Sequence, residues 1–354
     1  MFKKFIMVLF LVTPYLLNAE VENIEVSVMT YNVENLFDNI HDVGKDDETF
    51  LPKEVKNNSK HKEKCKKIAS YFYRKECFSL DWNDKVLNAK LENIAKVILS
   101  VDEGRGPDNL FLTEVENIKI LKRLNSDFLK AAKYKTVILI EGKDLRGIDV
   151  AFLSRYPLSK KPKLHDIPFQ AQNIKDQDKV RKTRGLLDVE VVLPNLLKVR
   201  FMGVHLPSQG NPSYLRKQAL LFLKELIEKS SNKNLIVGGD FNITAKEEEE
   251  DGYFKNQLVP LGKISHLDAC QTCRGTHWYK GHWAFLDVLF FNKGLIKDGL
   301  KFVPETVKVI KMEESQTKDE KPLRFNSKTL LGSSDHFPIY AKLNIERKSD
   351  SNKY

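Results

Sequence analysis

Short apolar runs, alternating or continuous, recur along the chain and are separated by polar, Gly- and Pro-containing stretches. The clearest are Glu25–Tyr31, Asn109–Thr113, Thr136–Ile140, Ile148–Leu153, Leu186–Leu193, Lys198–His205, Asn234–Gly239, Ala284–Phe291 and Phe337–Asn344. Their length and two-residue period predict β-strands. Helical periodicity is sharpest over Asp84–Ser100 and Tyr214–Lys229. In the first, Val86, Leu87, Leu91, Ile94, Ala95 and Ile98 fall on one face, and Asp84 is a reasonable cap. Strands outnumber helices and are interspersed with them. This pattern predicts a layered α/β (α+β) domain.

Two segments depart from it. Residues 42–82 are polar and basic, with Lys60, Lys62, Lys64, Lys66, Lys67, Arg74 and Lys75 around Tyr71, Phe72 and Tyr73. Such an insert serves either as a phosphate-contacting arm with stacking aromatics or as a solvated helix whose aromatics dock on the core. The second reading is slightly preferred. Residues 311–328 are charged and read as a mobile loop.

The N-terminus changes the expected compartment. Lys3 and Lys4 precede an apolar run, Phe5–Leu17, and Ala19 offers a cleavage edge. Residues 1–19 therefore read as a secretory signal, with an uncleaved anchor as the lesser alternative. The run is short and broken by Pro14, and no other long apolar run occurs, so no stable membrane insertion is expected. The expectation is an exported, periplasmic or secreted monomer. One domain would span 20–346, with a polar tail at 347–354.

Composition adds a partner class. The formal net charge is +10 over 354 residues, 42% of them hydrophobic. A sizeable core is affordable, and the basic balance suits a polyanion such as nucleic acid or an anionic headgroup. The four cysteines form two local pairs, Cys65 with Cys77 and Cys270 with Cys273. In an exported chain they read as disulfides. The alternative for the second pair is zinc held by His266, Cys270, Cys273 and His277.

The chemistry gathers at strand ends. Apolar runs lead into Asn32-Val33-Glu34, Thr113-Glu114, Val204-His205, Gly239-Asp240-Phe241-Asn242 and Leu286-Asp287, and Asp335-His336 opens the last run. Any one of these is explained by a cap or an Asx turn. Together they place carboxylates, amides and imidazoles where open layered folds bind ligands, and the oxygen donors suit a hard divalent cation.

In that order and at those separations, Asn32-Val33-Glu34, Leu112-Thr113-Glu114, Gly239-Asp240-Phe241-Asn242 and Ser334-Asp335-His336 resemble the endonuclease/exonuclease/phosphatase superfamily. The resemblance spans roughly residues 25–345. It implies the DNase I-like four-layer sandwich, two packed mixed sheets flanked by helices, and a Mg²⁺-dependent phosphodiesterase, with Mn²⁺ or Ca²⁺ as alternative ions. It further implies Glu114 as principal metal ligand with Asn32, Glu34 and Asp335 beside it, and Asp240 as the acid that activates water. Asn242 would hold water or a phosphate oxygen, His336 would face the phosphate and be oriented by Asp287, and His205 would serve as general acid. Arg146 and Arg184, at the starts of two strand runs, are candidate phosphate clamps.

Departures qualify it. Glu34 stands where Asp is common, Thr113 where Gln is common, and His205 where abasic-site nucleases carry an aromatic. The expected activity is an exported nuclease of low sequence specificity on DNA or RNA. The alternatives are a sphingomyelinase-like or inositol-phosphate enzyme of the same fold and, from another class, an inactive binding or toxin-accessory protein.

Overall fold

A computed structural model describes residues 24–181, 183–297 and 300–345. The signal-like segment 1–19 and the tail 347–354 lie outside them. The strands are β1 (Ile24–Leu36), β2 (Asn109–Val115), β3 (Thr136–Leu139), β4 (Asp149–Ser154), β5 (Lys163–His165), β6 (Leu186–Val192), β7 (Lys198–His205), β8 (Leu235–Asp240), β9 (Gly262–Ile264), β10 (His277–Tyr279), β11 (His282–Ala284), β12 (Asp287–Asn292), β13 (Leu300–Val309) and β14 (Ile339–Ile345). The longer helices are α1 (Ser59–Lys66), α2 (Tyr71–Ser79), α3 (Asp84–Leu99) and α4 (Ser213–Glu228).

One six-stranded sheet runs β13-β14-β1-β2-β4-β3 and the other β5-β6-β7-β8-β12-β9, while β10 and β11 form a separate hairpin. Alternation along each strand makes the layers. Val26, Val28, Phe111, Val150 and Phe152 of the first sheet meet Val189, Phe201, Ile236 and Leu289 of the second in one buried core. The intervening Met29, Tyr31, Leu110 and Leu112 face outward onto Leu87, Leu91 and Ile94 of α3. Met202, Val204 and Val237 face Ala219, Leu220 and Leu223 of α4. The result is the expected four-layer order of helices, sheet, sheet, helices. Close approach at the centre depends on two glycines. A Cβ on Gly203 would meet Val150 at 2.6 Å, and one on Gly238 would meet the Phe111 ring at 2.3 Å.

Both sheets have a parallel pair at their centre, β1 with β2 and β7 with β8. Their flanking partners β14 and β12 run antiparallel. Parallel strands end together, and an antiparallel neighbour begins where they end. Asp240, which closes β8, therefore lies opposite both His205, which closes β7, and Asp287, which opens β12.

Several local expectations are corrected. The α3 cap is Asn83, whose side chain accepts from Val86 N–H (3.1 Å), and Asp84 sits in the first turn. The insert is not one solvated helix. It is a pinned unit in which Cys65 is bonded to Cys77 and the buried Lys56 Nζ donates to the carbonyls of Thr49 (2.6 Å) and Leu80 (2.7 Å). The aromatic run does not dock on the core, because Tyr71, Phe72 and Tyr73 are all exposed. Residues 311–328 are not a mobile loop. Backbone hydrogen bonds tie them down, among them Leu323 N–H to Ser315 C=O and Ser333 N–H to Leu323 C=O, both 2.9 Å. Cys270 is bonded to Cys273, while the His266 ring stacks on Phe285 and His277 packs on His336. No zinc site of those residues is formed. Among the described residues, no helix is long and apolar enough to cross a membrane.

Candidate active site

The ends of β1, β2, β7 and β8 and the starts of β12 and β14 converge at one edge of the paired sheets. Backbone strain marks the same edge: Glu34, Asn35, Glu114 and Asn242 have φ of 50°, 55°, 65° and 52°. Non-glycine residues adopt this left-handed region at a cost that surrounding structure must offset, and such residues cluster at functional sites.

On the second sheet, Asp287 Oδ2 lies 2.6 Å from His336 Nδ1, and both side chains are buried. Burial disfavours charge on His336, but Asp287, with Asp335 and Asp240 adding, outweighs it and holds the imidazole well above its ordinary pKa. Asp240 accepts from Asn32 Nδ2 (3.0 Å) and from the backbone N–H of Asn242 (2.8 Å). Burial, reinforced by Asp287, pushes Asp240 up to about 7. His205 Nε2 stands 3.7 Å from Asp240 and 3.9 Å from Glu114, and its buried Nδ1 has no hydrogen-bond partner. Burial, with Arg184 and Arg146 adding, holds His205 well below its ordinary pKa. Of the two imidazoles, the surroundings of His336 favour the charged form and those of His205 the neutral one. Asn242 Nδ2 donates to Leu206 C=O (3.1 Å).

On the first sheet, Glu114 Oε2 accepts from Asn35 N–H (2.9 Å) and Asn32 Oδ1 from Glu34 N–H (2.9 Å). Ser334 Oγ donates to Asn32 C=O (2.6 Å), tying the last loop to β1. Burial and then Asp335 push Glu34 up to about 7. One Glu34 oxygen pairs with Arg324, and the other is buried without a partner. Arg324 also reaches Asp335 (3.4 Å). Arg184, its side chain 9% exposed, has Nη2 on Asp144 (3.0 Å), and Arg146 is exposed near the same carboxylate. Both act on His205 electrostatically, but their direct partner is Asp144.

The profile of the Endonuclease/Exonuclease/phosphatase family matches residues 73–345, well over half of the chain. The chain belongs to that family. Solved structures agree in fold. An endonuclease/exonuclease/phosphatase from Beutenbergia cavernae is 16% identical with a TM-score of 0.54, covering 91% of this chain and 72% of that one. A family protein from Bacteroides thetaiotaomicron is 12% identical with a TM-score of 0.53, covering 92% of this chain and 100% of that one. Truncated TDP2 of Caenorhabditis elegans is 16% identical with a TM-score of 0.52, covering 90% of this chain and 97% of that one. No curated protein matches. The chain is thus a phosphodiesterase-type hydrolase of this family, which generally uses a divalent metal.

The donor set of this family member fits such an ion. Arg324 bridges Glu34 and Asp335, Asn32 of β1 pairs with Thr113, the neighbour of Glu114, on β2, and the orphaned buried oxygen of Glu34 has ligand capacity to spare. Oxygen donors of this kind suit a hard cation.

Residues missed from sequence complete the site. Lys90 lies on the apolar face of α3, fully buried, and donates to Ser333 C=O (2.7 Å). Burial lowers it to about 8 against the opposing pull of Glu34, Asp335 and Glu114. A lysine inside an apolar helical stripe was the available signal. Arg324 left none, because it is one cation in a charged loop. His277 entered the sequence reading only through the alternative of a zinc site, and its ring lies 4.6 Å from that of His336. Burial, reinforced by the charge of His336, lowers it to about 4.

Proposed function

We propose that the protein is an exported, metal-dependent nuclease of low sequence specificity. The carrying observation is the buried Asp287–His336 pair facing Asp240, one group kept protonated and the other near neutrality. A carboxylate that exchanges its proton near neutral pH beside an imidazole held in its charged form supplies a base and an acid.

Asn32, Glu34, Glu114 and Asp335 would hold the ion. When bound, a Mg²⁺-type ion neutralises phosphate charge and makes water more acidic. Asp240 takes the proton of the attacking water as its oxygen bonds to phosphorus, and Asn32 fixes the carboxylate. Asn242, its Nδ2 anchored on Leu206 C=O, turns its amide oxygen to that water. As the ester bond breaks, His336 Nε2–H donates to the departing oxygen or to the equatorial charge, with Asp287 fixing the ring.

Nucleic acid is favoured by the β10–β11 hairpin, which reaches the site through His277. Lys321 Nζ lies over the Trp278 ring (4.0 Å) and Lys280 Nζ over Tyr279 (5.2 Å). Cations paired with aromatic faces suit phosphates and bases. Export is supported by the apolar N-terminal run after Lys3 and Lys4 and by two disulfides, which suit an oxidising compartment.

The test is incubation with plasmid DNA, RNA, sphingomyelin vesicles and inositol phosphates, with Mg²⁺ or with EDTA, beside an Asp240→Ala variant. Metal-dependent cleavage of nucleic acid, lost in the variant, is expected. Release from lipid or inositol phosphate alone overturns the nuclease reading. Wild type matching the variant on every substrate overturns the enzyme.

A further inference from the structure

The basic insert lies largely ahead of the family match, which begins at residue 73, and the reaction above does not use it. Its helices are stapled by the Cys65–Cys77 bond, and His61 Nε2 lies 3.1 Å from Cys77 C=O. Its end is fixed where Trp82 packs edge-on against Phe325 (5.9 Å), the neighbour of the Arg324 that spans Glu34 and Asp335. Glu76 of α2 lies within electrostatic reach of Arg324. The insert is therefore a stapled shoulder whose end stands against the loop that carries Arg324.

That shoulder presents what a folded chain normally covers. Tyr71, Phe72 and Tyr73 are 73%, 55% and 53% exposed, and Phe72 meets Tyr73 edge-to-face at 5.5 Å. Around them lie the exposed Lys60, Lys62, Lys66, Lys67 and Lys75. Ile40, Leu51 and Val55 with Lys60 and Lys64 line a recess of about 410 Å³, within the size range of small-ligand pockets.

We infer that this insert is a docking platform for single-stranded nucleic acid, stacking bases on Tyr71, Phe72 and Tyr73 while its lysines follow the phosphates into the cleft. This rests on the nuclease reading. Three successive residues of a helix point about 100° apart, so the rings fan around the start of α2. A winding strand can stack on them in turn, whereas a membrane would take only one side. Aromatic stacking beside a basic track is the general means of holding single strands without sequence preference.

The experiment compares wild type with the triple variant Tyr71→Ala/Phe72→Ala/Tyr73→Ala. Binding of a labelled single-stranded oligonucleotide is measured in an Asp240→Asn background, and hydrolysis of bis(p-nitrophenyl) phosphate in the native background. The rings are exposed, so unchanged circular dichroism is expected. The dissociation constant should rise about tenfold or more while hydrolysis of the small diester is unchanged. A second variant, Lys67→Gln/Lys75→Gln, should lower the slope of log affinity against log salt by about 1.4, near 0.7 for each contact. Unaltered oligonucleotide affinity in the triple variant, with wild type binding, overturns the platform alone. Weakened binding to phosphatidylserine vesicles with oligonucleotide binding intact overturns it in favour of a membrane. Failure of wild type to bind or cleave nucleic acid overturns the nuclease reading and the platform with it.

Discussion

Two groups of buried charges, one in the second sheet and one at the cleft between the sheets, are built in opposite ways. Asp188 of β6 takes Arg200 Nε and Nη2 on its two oxygens at 2.9 Å each, and His165 Nε2 at 2.9 Å. Burial alone would raise its pKa, but His165 and Arg200 outweigh burial and hold it well below the carboxylate range. At the cleft, Asp287 Oδ1, Glu34 Oε2 and His205 Nδ1 are buried with no partner, and Asp240 and Glu34 are pushed up to about 7. The Asp188 group is saturated and has nothing left to bind with. The cleft is left incomplete, which costs stability, and its unmet valences are the binding capacity for an ion, water and phosphate.

Removing one member from each group gives the strongest contrast. His336→Ala should reduce turnover by about a thousandfold or more, with circular dichroism still that of a folded chain. A variant that retains near-normal rates removes His336 from the reaction. Asp287→Asn should act in the same direction, because it frees the ring that Asp287 orients.

Asp188→Asn should do the reverse, costing about 3–5 kcal/mol of stability at neutral pH and leaving the rate of the folded fraction intact. Its sign with pH is fixed. The folded carboxyl ionises below its unfolded value of about 3.9, so its contribution is present above that pH and lost as pH falls through the folded pKa. The gap between wild type and variant, read from denaturant unfolding, should therefore narrow on acidification below about pH 4. A gap constant with pH would mean that packing, not charge, holds Asp188.

The smallest effect sharpens the claim that the cleft awaits a cation. Mg²⁺ at a hundred times its dissociation constant should raise stability by about 2.7 kcal/mol, and EDTA should remove both the gain and the turnover. Glu114→Gln should abolish most of the gain while folding in metal-free buffer. An equal gain in the variant would take Glu114 out of the ligand set.

Much of this was legible before any coordinates. Alternation placed the main strands, since a strand with both faces buried has to be apolar at nearly every position, as in β4 and β8. The polar ends of those strands pointed to the cleft, because nothing in packing calls for an acid after an apolar run. Short pieces escaped: β5, β9, β10 and β11 have three residues each, too few for a period. The partly exposed β13 breaks the alternation. Lys90 was hidden by its place in an apolar stripe, and Arg324 by the many cations around it.

The sequence by itself determined the layers, the strand ends that carry chemistry and the basic, aromatic character of the insert, because each is written in local patterns of apolar, charged and aromatic positions. Only the tertiary structure decided which strands run parallel, and so which ends meet. It brought Asp287 to His336 across 49 positions of sequence, turned Arg324 onto Glu34 and left Tyr71, Phe72 and Tyr73 in solvent beside the cleft. Burial, field and unmet hydrogen bonds are sums over neighbours distant in the chain, and no local pattern contains them.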